Sequence, residues 1–223
     1  MSDRAGPAPP PRVAARRPAV RPRAPKPLRQ RALKPVAWLL SLLPLTFLVW
    51  RAATDDLGAE PVEEVLHATG YWALVLLLAT LAVSPLRKLS RWNPIIGVRR
   101  LLGLFAFFYA TLHVAVYFGV EQFFELSAII EDIVKRPFIT VGFLAWVLLI
   151  PLAATSTRGW IRRLGKRWQL LHRLVYVTAV LGVVHFLWST KVDEPEPVIF
   201  ALGLLVLLAF RAPLLRRRFP APE

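Results

Sequence analysis

The sequence predicts an all-α integral membrane protein, a bundle of six transmembrane helices with both termini in the cytoplasm. Over half of the 223 residues are hydrophobic, and they gather in blocks of roughly membrane-spanning length. The loops between the blocks alternate between basic and acidic, which is the charge pattern of a chain threaded repeatedly through a bilayer.

The formal charge of +15, from 29 Lys and Arg against 14 Asp and Glu, raises the question of nucleic acid as a partner. Its distribution answers no. Residues 1–35 hold 10 basic residues and one acidic, and most of the remaining excess sits in the loops between hydrophobic blocks. Charge placed this way sets topology and attracts anionic lipid headgroups; it builds no groove for phosphates.

The chain reads as three segments: a basic, Pro-rich cytoplasmic tail at 1–35, a six-helix membrane domain at 36–215, and a short cytoplasmic tail at 216–223. The first has little to bury and reads as disordered. Its Arg16-Arg17 pair is followed by Pro18, Pro22, Pro25 and Pro27 where a signal peptide needs an apolar run, so no cleaved signal is expected. Uncharged stretches then run at 35–50, 65–86, 101–120, 137–157 and 174–190, each near the ~20 residues a spanning helix needs. Pro44 and Pro151 should bend the first and fourth. A sixth stretch, 197–210, is short; it spans only if Arg211 snorkels and the helix continues through Leu214 and Leu215.

Lys and Arg near helix ends stay on the cytoplasmic side. The tail and the segments 87–100, 158–173 and 211–218 are basic, whereas 55–64, 121–132 and 193–196 are mainly acidic. Six spans with both ends inside satisfy this alternation, with Lys135, Arg136 and Lys191 as minority cations outside.

The chain has no cysteine, and its only methionine is Met1. Disulfides, iron–sulfur clusters, thiol catalysis and internal sulfur ligation of iron are therefore excluded. Any bound iron must rely on His67, His113, His172 and His185. His113 lies 13 residues beyond Arg100 and His185 lies 12 beyond Arg173, so at ~1.5 Å per residue both sit roughly 18 to 20 Å from the inner boundary. Two imidazoles at one level on different helices are the arrangement that clamps a heme iron from both faces. The competing reading is that each satisfies itself by a hydrogen bond to a neighbouring helix.

His172 stands at the cytoplasmic edge of the fifth helix, 13 residues before His185. In a straight helix that spacing turns the two side chains about 140° apart. It reads as a ligand with an unusual partner, as a contact to a quinone or flavin, or as an ordinary interfacial histidine. His67, near the outer rim, reads as an interfacial residue or a contact to a heme propionate or partner protein. The inner cations, Arg99, Arg100, Lys166 and Arg167 among them, suit a flavin phosphate or lipid headgroups, and positive-inside topology alone also accounts for them. With no Gly-x-Gly-x-x-Gly motif, P-loop or metalloprotease helix, nucleotide-driven hydride transfer and ATP-driven work have no site here.

Several runs carry a family resemblance: Arg99 to Leu104 leading to Tyr109-Ala110-Thr111-Leu112-His113, Thr155-Ser156-Thr157, Leu164 to Gln169 with Leu171-His172, and His185 to Ser189. With Gly58 to Val62, His67 and Thr69-Gly70, they resemble the MsrQ family, heme-binding membrane subunits of a periplasmic methionine-sulfoxide reductase system, over about 36–215. The resemblance implies a ferric-reductase-like domain in the bacterial inner membrane, heme b and FMN as cofactors, and His113, His172 and His185 as the heme-associated histidines. It also implies quinol as electron source and a periplasmic molybdopterin-containing reductase as recipient; Arg99, Arg100, Lys166, Arg167 and Trp168 are read from their place at the inner loops as standing beside the cofactors. On this reading the chain is a non-catalytic electron-transfer subunit. Two other readings compete: a proton-coupled transporter using intramembrane histidines as a relay, and a ferric-reductase-like protein served by a separate NAD(P)H-oxidising partner.

Overall fold

A computed structural model describes residues 28–190 and 194–211. The described residues form nine α-helices and no strand: α1 (Leu28–Ala53), α2 (Pro61–Ser90), α3 (Arg99–Val116), α4 (Leu126–Lys135), α5 (Pro137–Ala154), α6 (Arg158–Leu164), α7 (Lys166–Leu171), α8 (Leu174–Ser189) and α9 (Glu196–Ala209). A 3-10 turn at Asn93–Val98 leads into α3, and a π turn at Tyr117–Glu121 ends it. Residues 1–27, which hold most of the expected tail, lie outside the described residues, as do Leu214 and Leu215.

Five segments are long and apolar enough to cross a membrane: Ala32–Ala53, Pro61–Ser90, Asn93–Glu121, Pro137–Ala154 and Lys166–Ser189. Each contains one of the five long uncharged stretches or most of it. The first helix begins earlier than expected, at Leu28, with Pro35 and Pro44 both inside it. At 14 residues, α9 rises ~21 Å and falls short of a ~30 Å hydrocarbon core. It stops before Arg211, whose guanidinium donates to the Leu207 carbonyl at 3.1 Å and to the Leu81 carbonyl of α2 at 2.6 Å. Arg211 is thus anchored on a neighbouring helix.

Two helix pairs carry the fold, because α3 packs along α2 and α8 packs along α5, while α3 and α5 touch to bring the pairs together. Their shared core includes Leu74, Leu77, Leu81, Phe105, Tyr109, Ala179, Val183 and Leu204. Outside it, α1 leaves Leu39, Leu40 and Leu43 more than half exposed. Such continuous apolar surface suits lipid as solvent. α1 is keyed to α3 at its proline. Where Leu45 N–H and Ser41 C=O would pair in a regular helix, Leu45 N–H donates to the Tyr109 hydroxyl at 3.1 Å, which donates to the Ser41 carbonyl at 2.8 Å. A hydroxyl inserted beside Pro44 thereby restores both backbone partners.

Candidate functional site

Between the two helix pairs lies a cavity of about 400 Å³. His113 from α3 and His185 from α8 both line it, so the histidines matched by depth in the sequence are brought together. Their ring centres stand 6.2 Å apart, with the planes 74° to one another.

Each imidazole is held in the same way by the partner helix of its pair. His113 Nδ1 lies 2.9 Å from the Leu66 carbonyl of α2, and His185 Nδ1 lies 2.8 Å from the Phe138 carbonyl of α5. A carbonyl only accepts, so in both rings the proton sits on Nδ1 and the lone pair is left on Nε2. One turn further along each partner helix is a glycine. A Cβ on Gly70 would lie 3.1 Å from His113 Nδ1, and one on Gly142 would lie 2.7 Å from His185 Nδ1. Both rings therefore fill space that any other residue would occupy.

The two sequence readings of these histidines turn out to be compatible. Each ring does satisfy itself on a neighbouring helix, through Nδ1, and each keeps Nε2 for a ligand. A metal–imidazole bond of about 2.0 to 2.1 Å, plus about 1.1 Å from nitrogen to ring centre, puts two imidazoles on opposite sides of one iron about 6.3 Å apart. The observed 6.2 Å fits an iron held from both faces. Among the described residues no group of three or more His, Asp or Glu side chains could hold a metal; a heme iron, which needs only axial ligands from the protein, would be held by His113 and His185.

The rest of the wall is largely aromatic: Tyr71, Tyr117, Phe118, Phe138, Phe143, Trp146 and Phe186. Trp146 Nε1–H donates to Thr111 Oγ1 at 3.1 Å, which fixes the indole against α3. None of these rings was singled out by sequence, because aromatic residues are ordinary in spanning helices. Gly142 likewise escaped notice; an isolated glycine within an otherwise apolar helix was the one available signal. His67 also lines the cavity, with its ring centre 6.0 Å from Phe186 and 6.2 Å from Tyr71.

His172 is elsewhere. It does not line the cavity; its Nε2 lies 3.1 Å from Thr155 Oγ1, and Trp168 stacks on its ring with centres 4.0 Å apart. Trp168 Nε1–H donates to the Thr155 carbonyl at 3.0 Å, so the three residues form one unit near the basic loops. The helix between His172 and His185 is not regular at its start: α7 ends at Leu171 and α8 starts at Leu174, with His172 and Arg173 forming a right-handed turn between them. Arg99 is half-buried with Nη1 3.5 Å from Ser84 Oγ, whereas Arg100, Lys166 and Arg167 are exposed.

Residues 69–183 match the family model described as the ferric reductase like transmembrane component. The chain is also similar to proteins named as the protein-methionine-sulfoxide reductase heme-binding subunit MsrQ. That of Herminiimonas arsenicoxydans is 50% identical, covering 84% of this chain and 87% of the relative. That of Ralstonia nicotianae is 53% identical over 81% and 85%, and that of Rhodospirillum rubrum is 51% identical over 85% and 92%. Identity of this depth over most of both sequences, on a helical frame with two facing histidines, establishes that the chain belongs to the MsrQ family of ferric-reductase-like transmembrane proteins.

Proposed function

We propose that this protein carries electrons across the bacterial inner membrane through a heme b ligated by His113 and His185, and delivers them to a periplasmic molybdopterin-containing methionine-sulfoxide reductase. One observation carries this reading: two imidazoles 6.2 Å apart, each with Nδ1 committed to a carbonyl of another helix. Bound between them, heme b supplies reversible one-electron transfer. The Leu66 and Phe138 carbonyls fix the ring planes and make each Nε2 a better donor. The aromatic wall excludes water. Because both ligands sit on packed helices, their separation changes little with the charge at the site, which favours rapid transfer.

Six spans, with α9 as the sixth and both termini in the cytoplasm, put the basic loops inside and the cavity toward the periplasm. The positive-inside rule supports this orientation. Quinol is the electron source at the inner face, where Arg99, Arg100, Lys166 and Arg167 also suit the phosphate of FMN and Trp168 its ring. His172, stacked on Trp168, belongs to this inner redox region. The names of the relatives support heme and the methionine-sulfoxide reductase system.

The test is heme content of the purified protein by pyridine hemochrome. His113→Ala and His185→Ala should each remove most bound heme b, because these two imidazoles face one another across the cavity with Nδ1 already engaged. Unchanged heme in both variants refutes the assignment, and a wild-type protein without a Soret band supports a transporter instead.

A further inference from the structure

The cavity wall contains a single strong cation. Among the described residues Arg136 is the only Lys or Arg that lines it, against three carboxylates, Glu63, Glu121 and Glu194. Arg136 is the residue just before α5, two positions ahead of Phe138, whose carbonyl holds His185. Its Nε lies 3.2 Å from Asp132 Oδ1 and its side chain is 54% exposed. Neither Nη group has a hydrogen-bond partner among the described residues. The guanidinium thus stands in the cavity wall beside a ligand histidine, with neither Nη engaged by a described residue.

We propose that Arg136 is the carboxylate-binding residue of this cavity and pairs with a propionate of the porphyrin held by His113 and His185. The proposal rests on the reading of those histidines as axial ligands. A heme b disc is apolar over most of its area and carries two carboxylates on one edge. Burying the disc requires that edge to reach water or a cation. The rest of the described wall is apolar, acidic or uncharged polar, with His67 beside the two ligands, so among the described residues Arg136 is the one guanidinium or ammonium group placed to meet the anionic edge. The planar fork of an arginine matches a carboxylate in two parallel hydrogen bonds, which a lysine cannot reproduce. The contact with Asp132 does not compete. It engages Nε through Oδ1, while Asp132 Oδ2 accepts from the Tyr117 hydroxyl at 2.9 Å and from Gln122 Nε2 at 3.1 Å.

The experiment uses the full chain purified with its heme, and compares wild type with Arg136→Gln, Arg136→Lys and Asp132→Asn. Heme release is followed by capture in excess apomyoglobin, and the heme midpoint potential is measured in parallel. Arg136→Gln should release heme about ten-fold faster, the loss expected for a charge-assisted hydrogen bond. It should also lower the midpoint potential, since removing a cation favours the ferric state. Arg136→Lys should restore much of both. Asp132→Asn should change release less than Arg136→Gln, because it spares the Nη groups and keeps an oxygen for the Tyr117 hydroxyl. Release from Arg136→Gln within two-fold of wild type at an unshifted potential overturns the proposal. So does an Asp132→Asn variant that releases heme as fast as Arg136→Gln, which would make Arg136 a mere tether for α4. If Arg136→Gln purifies without heme, retention by Arg136→Lys and Asp132→Asn supports the proposal and loss from Asp132→Asn overturns it. Failure of the axial reading looks different, because heme would then survive His113→Ala and His185→Ala whatever the Arg136 variants do.

Discussion

Gly142→Ala is the most informative single-atom perturbation of the site. The added Cβ would stand 2.7 Å from His185 Nδ1, 2.8 Å from Cε1 and 2.9 Å from Cγ. Contacts of this kind are most favourable near 3.5 to 4.0 Å, so three ring atoms fall short of even the lower limit by roughly 0.6 to 0.8 Å. The ring cannot turn aside without giving up its 2.8 Å bond to the Phe138 carbonyl. Overpacking of this kind costs about 1 to 3 kcal/mol, and losing an outer-shell partner costs 10 to 100-fold in metal affinity. Gly70→Ala is the graded comparison, because its Cβ would meet His113 Nδ1 at 3.1 Å and Cε1 at 3.2 Å, a shift of a few tenths of an ångström. Alanine favours a helix over glycine by about 1 kcal/mol, so weakened helices cannot account for a loss. Pyridine hemochrome should find most heme gone from Gly142→Ala and most retained in Gly70→Ala, with the low-spin EPR signal altered in what Gly142→Ala keeps. Wild-type heme content and signal in Gly142→Ala, or a larger loss in Gly70→Ala, would refute the cradle.

Two further substitutions probe the frame. Tyr109→Phe removes the hydroxyl between Leu45 N–H and Ser41 C=O, leaving two buried backbone groups unpaired at a cost of about 1 to 3 kcal/mol; thermal unfolding in detergent should show the loss while heme content per folded protein stays at the wild-type level. His172→Ala removes a ring that stacks on Trp168 and meets Thr155 but does not line the cavity; the low-spin signal of the His113–His185 pair should persist, and its disappearance would place His172 at that site after all.

The spans and the facing histidines were legible because each depends on quantities that run along the chain. Hydropathy sums over a window, and depth is a count from the last loop cation, so His113 and His185 could be matched before any contact was known. What stayed hidden depends on residues distant in sequence. Nothing near His113 announces the Leu66 carbonyl, a backbone atom with no side-chain signature, and nothing near His185 announces Phe138 or Gly142. The break between α7 and α8 was hidden for the opposite reason. His172-Arg173 carries neither Pro nor Gly, so the local sequence offers no stop signal, and α8, which packs along α5, begins only at Leu174.

The same separation recurs in the two ligand bonds. Leu66 and His113 are 47 residues apart, and so are Phe138 and His185. In each case the residue whose carbonyl accepts is followed four residues later by the glycine that makes room for the ring. A helix brings residues i and i+4 onto one face, so each partner helix offers an acceptor and a gap side by side, and each histidine uses both. The consequence is that neither ligand depends on a loop or on another side chain for its orientation. Rotamer changes that would reorient a side-chain acceptor cannot disturb a carbonyl fixed in a helix backbone. The distance between the imidazoles is then set by how α3 and α5 bring the two pairs into contact, and a substitution that loosens a pair should move one ring without moving the other. Gly142→Ala acts within the α5–α8 pair alone, so the bond from His113 to Leu66 should survive it even where the iron is lost.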